Sequence, residues 1–180
     1  MNENYRKDCE RWAGGRRVGF LWKLKHYILF PSFRIITWKR IGESYDNPIL
    51  RNIAKYKLFK YTNKYLITLP LKTVVGGGIS FPHGGPIVFT GGAKIGENVM
   101  IHPNVLIGGQ EKVGCPTIGS RVFIGNGAKI VGKINVGDDV FIAPGTIVVK
   151  DIPSGSVIVG NPARIINSNG AEYVRQYLFP

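Results

Sequence analysis

A six-residue repeat constrains this chain more than any other feature. Aliphatic residues recur at Ile95, Ile101 and Ile107, and again at Ile118, Ile124, Ile130, Val136, Ile142 and Val148. The fourth place after these positions holds Val99, Val105, Val122, Ala128, Ile134, Val140 or Thr146, and glycine follows directly at Gly96, Gly108, Gly119, Gly125 and Gly137. Upstream, Val75, Phe81 and Ile87 keep the period before an eight-residue step to Ile95. An amphipathic helix repeats every 3.6 residues and a half-buried strand every two, so neither explains a period of six. A solenoid does: each hexad supplies one short strand and a turn, and three hexads close a triangular coil. The aliphatic residue points into the prism, the small residue fits its crowded interior, and glycine relieves the turn. Nine positions in register exceed what chance supplies. The predicted fold class is therefore mainly β, a left-handed parallel β-helix of four to five coils.

Between Ile107 and Ile118 eleven residues replace six, so GGQEKVGCPT must eject a loop, and a loop the scaffold does not need is a place for function. After Asp151 the pattern fades through IPSGSVIVGNPARII. A last helix over Ala171 to Leu178 is expected to pack on the open end. The chain divides into a helical segment over 1–74, the β-helix over 75–166 and a capping helix and tail over 167–180.

Composition separates the first two parts. Residues 1–74 hold 16 of the 24 Lys and Arg and 5 of the 11 Asp and Glu, leaving the remainder of the chain close to neutral. Aromatics follow the charge, with 13 of 20 before residue 75, whereas 19 of 24 glycines lie between Gly76 and Gly160. The N-terminus lacks an apolar run with a small-residue cleavage site, so no secretory signal is read there. Phe20 to Trp38 is long enough to span a bilayer, but Lys23, Lys25 and Arg34 interrupt it and Pro31 divides it. Each central cation would cost about 2.5–3.5 kcal/mol on insertion scales. Two readings stay open for this stretch and for a second helix over Pro48 to Leu66: packing on the protein or a neighbouring subunit, or contact with an anionic membrane surface. No nucleic-acid-binding signature accompanies the basic residues, so nucleic acid is not an expected partner. Cys9 and Cys115 form neither a disulfide framework nor a zinc spacing, which suits a cytoplasmic protein with reduced thiols.

The run TIGSRVFIGNGAKIVGKINVGDDVFIAPGTIVVKDIPSGSVIVGNPARII resembles the hexapeptide acyltransferases that use acetyl-CoA. GISFPHGGPIVFTGGAKIGENVMIHPNVLIGG narrows the likeness to the serine acetyltransferase-like branch, which includes O-acetyltransferases of capsular and exopolysaccharide assembly. The resemblance implies a homotrimer with active sites between subunits and no metal. It places the catalytic histidine at His83, in PHGGPIVF, with His102, in MIHPN, as a second functional histidine. His26 reads as an ordinary helix residue. The resemblance also implies that Asn126, Gly127, Ala143 and Pro144 line the CoA groove with backbone groups, and that Lys150 and Arg164 meet its phosphates. Pro144 removes one amide donor.

The departures concern the acceptor. Where serine acetyltransferases carry an aspartate before the histidine this chain has Pro82. Thr68 replaces a second aspartate, and Gly114-Cys115 replaces an Arg-His pair. These substitutions lead to the expectation of a neutral acceptor: an acetyl-CoA-dependent O-acetyltransferase acting on a saccharide hydroxyl, with His83 as general base in a direct transfer. Serine O-acetylation is the alternative. A zinc-dependent hydratase would want three histidines per site, and the repeat offers two. A non-catalytic scaffold, or a membrane-surface assembly protein, is the non-enzymatic reading.

Overall fold

The computed structural model describes residues 2–109 and 112–178. Four helices come first. The helix α1 (Glu3–Trp12) is capped by the Asn2 side chain, which accepts a bond from the Asn4 amide at 2.9 Å. The apolar stretch forms two helices, α2 (Phe20–Leu29) and α3 (Pro31–Ser44), because Pro31 cannot continue the first but suits the first turn of the second. The helix α4 (Pro48–Tyr65) starts at an Asn47 cap followed by Pro48 and stops where Leu66 turns left-handed at φ 58°.

Five coils follow. The first holds β1 (Ile67–Thr68), β2 (Val74–Val75) and a single bridge at Ser80, and the second β3 (Ile87–Phe89), β4 (Lys94–Ile95) and β5 (Met100–Ile101). The third holds β6 (Val105–Gly108), β7 (Thr117–Ile118) and β8 (Phe123–Ile124), and the fourth β9 (Lys129–Val131), β10 (Asn135–Val136) and β11 (Phe141–Ile142). The fifth has β12 (Ile147–Val148), a bridge at Ile152 and β13 (Val157–Val159). Strands of successive coils pair in parallel and build three sheets: β1-β3-β6-β9-β12, β2-β4-β7-β10, and β5-β8-β11-β13 extended by an antiparallel β14 (Arg164–Asn167). The inward aliphatic column is the core: Ile95, Ile101, Ile107, Ile118, Ile124, Ile130, Val136, Ile142 and Val148 are all buried.

The pairing register corrects two details of the repeat. Ile67 pairs with Ile87 and Phe89 with Ile107. Leu69 therefore begins the hexads, and the coil starts six residues before Val75. The eight-residue step runs from Phe81 to Phe89, around His83, rather than from Ile87 to Ile95. Ile87 and Phe89 are both buried on the same face of one strand, so sequence periodicity alone could not say which keeps the register. The glycine column also has a different cause from turn relief. A Cβ on Gly96 would meet the Gly119 carbonyl group at 2.6 Å, so the coil above leaves room only for hydrogen.

In each coil the amides of the second corner point to the next coil, as Gly76 N donates to Ile95 O at 2.8 Å and Gly96 N to Ile118 O at 2.8 Å. Carbonyls of the first coil are thus left facing outward, and α3 covers them. Lys39 donates to Thr73 O, Arg40 to Val75 O and Gly76 O, each at 2.6 Å, and Ser32 Oγ to Phe81 O at 2.9 Å. Arg40 also pairs with the buried Asp8 of α1 at 2.8 Å, and Asp8 Oδ1 accepts from the Gly78 amide at 2.7 Å. At the other end, α5 (Gly170–Leu178) does not sit across the opening. It lies along the flank of the third sheet, where Tyr173 and Tyr177 meet the stacked rings of Phe123 and Phe141. The outward Phe123 and Phe141 offer it an apolar face that the helix end of the solenoid lacks.

Candidate active site

Three corners run down the prism. At the corner between the third and first sheets, the turns after Phe81, Ile101, Ile124 and Ile142 stack in order. They carry His83, then His102-Pro103-Asn104, then Gly125-Asn126-Gly127, then Ala143-Pro144-Gly145. The two extra residues in the first of these turns swing His83 outward, and its side chain is exposed. Gly84 and Gly85 are left-handed at φ 60° and 86°, and a Cβ on Gly85 would come within 3.1 Å of Pro103. This folds the wide turn onto the coil below and brings the rings of His83 and His102 to 5.4 Å between centroids. His102 is half-buried against Phe123 at 4.9 Å. Burial, and then the neighbouring His83, lower its pKa below the ordinary histidine value. Among the described residues neither histidine has a side-chain hydrogen bond, so each is open to a ligand.

The turns expected to line the CoA groove do stack beneath the histidines. Most of their amides are already used: Gly127 N donates to Pro103 O at 3.0 Å, Gly145 N to Asn126 O at 2.8 Å and Ala143 N to Ile158 O at 3.0 Å. Pro144 has none. These turns therefore offer close approach along an exposed edge rather than a row of donors. Arg164, on β14 opposite Val159, lies at the foot of the same corner and is exposed. Lys150 does not join them. It follows β12, at the corner between the first and second sheets, below the ejected loop. Gln110 and Glu111 of that loop lie outside the described residues; its Cys115 lines a cleft of about 500 Å3 with Lys72, Lys94 and Lys133.

Sequence reasoning missed a second set of groups. Beside Pro82 a cleft of about 650 Å3 opens between α1 and the third sheet, lined in part by Lys7, Glu10, Arg11, Trp12 and Glu97. Lys7 and Glu97 pair at 2.6 Å, and burial lowers the Arg11 guanidinium to about 10. The Trp12 Nε1–H is buried with no acceptor among the described residues. No local signal could place α1 here, because its contacts with this sheet span some ninety positions, as Lys7 to Glu97 does. Among the described residues no three His, Cys, Asp or Glu side chains are grouped to hold a metal ion.

No family model matches the chain. It is 41% identical over 146 residues to a probable serine acetyltransferase 5 of Oryza sativa subsp. japonica, covering 79% of this chain and 43% of that protein. To the serine acetyltransferase of Synechococcus elongatus it is 36% identical over 152 residues, covering 82% and 62%. Among solved structures, the soybean serine acetyltransferase apoenzyme is 29% identical with a TM-score of 0.74, covering 92% of this chain and 70% of that one. The Neisseria gonorrhoeae serine acetyltransferase in complex with serine is 25% identical with a TM-score of 0.75, covering 90% and 67%. The chain thus spans about half the length of the curated relatives it matches. It is a hexapeptide-repeat protein of the serine acetyltransferase type, with nothing in the likeness that singles out the capsular branch.

These likenesses overturn the saccharide acceptor. That expectation rested on the missing acids at Pro82 and Thr68. The cleft beside Pro82 does hold carboxylates from other positions, Glu10 and Glu97, paired with Arg6 and Lys7 of α1.

Proposed function

We propose that this chain is an acetyl-CoA-dependent serine O-acetyltransferase with His83 as its general base. The observation that carries the reading is the widened turn that sets His83 outward over His102, on a chain similar to serine acetyltransferases over four-fifths of its length. Neutral imidazole at His83 takes the proton of the serine hydroxyl as the oxygen attacks the thioester carbonyl. CoA thiolate leaves and is protonated, so no covalent enzyme intermediate is needed. His102, whose pKa burial lowers, packs beside the base at 5.4 Å between ring centroids and walls one side of the site.

Acetyl-CoA fits the stacked small turns at Asn126, Gly127, Ala143 and Pro144, where no side chain stands between a pantetheine arm and the backbone. Arg164 is the cation at the end of that edge for a phosphate. All these groups lie on an exposed edge of one prism, which supports a homotrimer in which a neighbour closes the groove. Lys150, at a different corner, reaches it only from across such a boundary. In the cleft beside Pro82, Trp12 Nε1–H is the donor for the serine carboxylate, and Glu97 meets the ammonium by exchanging its bond to Lys7.

Release of CoA thiol from acetyl-CoA with L-serine, followed with a thiol reagent, tests the reading. Turnover that saturates with serine supports it. Acetyl-CoA binding without turnover on L-serine overturns the acceptor. The absence of acetyl-CoA binding favours a non-catalytic scaffold.

A further inference from the structure

Of the charged and apolar groups outside the active corner, the largest exposed set is on α2 and α4. No residue of α2 is buried. Phe20, Leu21, Leu24 and Ile28 fall within about a third of the helix circumference at 100° per residue. Phe20 and Leu21 are 75% and 79% exposed and Ile28 is 61% exposed. The opposite side of α2 is the packed one. Trp22 and His26 stack on each other and meet Phe33 of α3, and the Tyr27 hydroxyl accepts from Trp38 Nε1 at 2.8 Å.

On α4 the buried line is Ala54, Leu58 and Thr62, and the outward face carries Ile49, Ile53 and Tyr56 with Lys60 and Lys64, while Lys57 is half-buried at its edge. Arg34 joins the two helices, donating to Tyr27 O and Ile28 O on α2 and to the Tyr65 hydroxyl on α4. Between residues 20 and 66 ten Lys and Arg face two acids, Glu43 and Asp46. Two of those cations, Lys39 and Arg40, are buried on the first coil, and the lysines of α4 other than the half-buried Lys57 are exposed.

We propose that α2 and α4 form a docking surface for the headgroup layer of an anionic membrane. Exposed Phe, Leu and Ile enter the boundary between headgroups and acyl chains while lysines stay with the lipid phosphates. Charge decides between occupants. A symmetric contact between copies would set this basic surface against itself, whereas an anionic bilayer neutralises it. Nucleic acid would satisfy the lysines but leave the apolar face of α2 without a partner. Docking is peripheral, since among the described residues no helix is long and apolar enough to cross a membrane. The proposal stands independently of the acceptor assigned to the active corner.

The full chain is sedimented with phosphatidylcholine vesicles and with vesicles containing roughly a third phosphatidylglycerol. Binding to the anionic vesicles alone is expected. The combined F20S, L21S and I28S variant should weaken it at least tenfold. So should K57Q, K60Q and K64Q together, and added salt should weaken wild-type binding too. Acetyl transfer without vesicles, and the circular dichroism spectrum, should stay at wild-type values and so exclude misfolding. No wild-type binding to anionic vesicles overturns the proposal. Unchanged binding after the serine substitutions overturns it too. A change in oligomer size on light scattering would assign the face to a contact between copies, and binding to RNA that ignores the serine substitutions would assign it to nucleic acid.

Discussion

Two corners of the prism are built on the same backbone plan and filled in opposite ways. At the corner between the second and third sheets, nearly every polar group finds a partner in the next coil. Glu97 N bonds Ser120 Oγ, Ser120 N bonds Asp138 Oδ1, and Asp138 N bonds Ser154 Oγ. Arg121 and Asp139, both left-handed, pair in a fork at 2.7 and 2.8 Å. At the corner between the third and first sheets, His83, His102 and Asn126 bond to no side chain or backbone group of the described residues through their own side chains. One corner satisfies itself and is finished as structure. The other leaves these side chains without partners among the described residues, which is what the proposed function asks of it.

That contrast is breakable. The largest effect expected is from His83→Ala: a 10²–10⁴-fold loss of kcat/KM with an unaltered unfolding midpoint. Activity near wild type would remove the chemistry from this corner. Asp8→Asn acts on the satisfied corner, removing the fully buried counter-ion of Arg40 and leaving it only the partly exposed Glu43. It should lower stability by about 3–5 kcal/mol in denaturant titrations, with per-molecule activity kept at low denaturant. Arg121→Ala breaks a half-exposed fork and should cost at most about 1 kcal/mol, less in high salt. The smallest effect is a pH dependence. Because the folded state lowers the pKa of His102, the unfolded chain binds that proton more readily as pH falls through the ordinary histidine range. Thermal stability should therefore be fuller above that range and decline below it, and the decline should be shallower in His102→Gln.

Much of the fold was legible because a solenoid writes its inward column into the sequence at a fixed interval. The ambiguity arose where two apolar residues, Ile87 and Phe89, sit two apart on one strand. Either one continues the period, and only strand pairing shows that the widening belongs to the histidine turn. Leu69 was hidden because its hexad is followed by Pro70 and Leu71, which look like a linker. Hexad phase alone assigns Lys150 to another corner than Asn126 and Pro144, yet the resemblance grouped them. The cleft of Glu10, Trp12 and Glu97 was not legible, since it depends on how α1 docks on a sheet far along the chain. The acceptor was misjudged because absent acids at two positions were weighed above a likeness to serine acetyltransferases that extends over about four-fifths of the chain.

A stack of parallel coils is in principle an unlimited polymer, because each coil presents to the next the pattern it received. Here α3 acts as a chain terminator. By filling the first coil's outward carbonyls with Lys39, Arg40 and Ser32, it turns a growing end into a closed one. Two of the cations that make this segment so basic are consumed in that role. The antiparallel β14 changes the direction of the ladder at the opposite end. A variant that loses the α3 plug would expose a template for its own kind, and its failure would be fibrous assembly as well as unfolding.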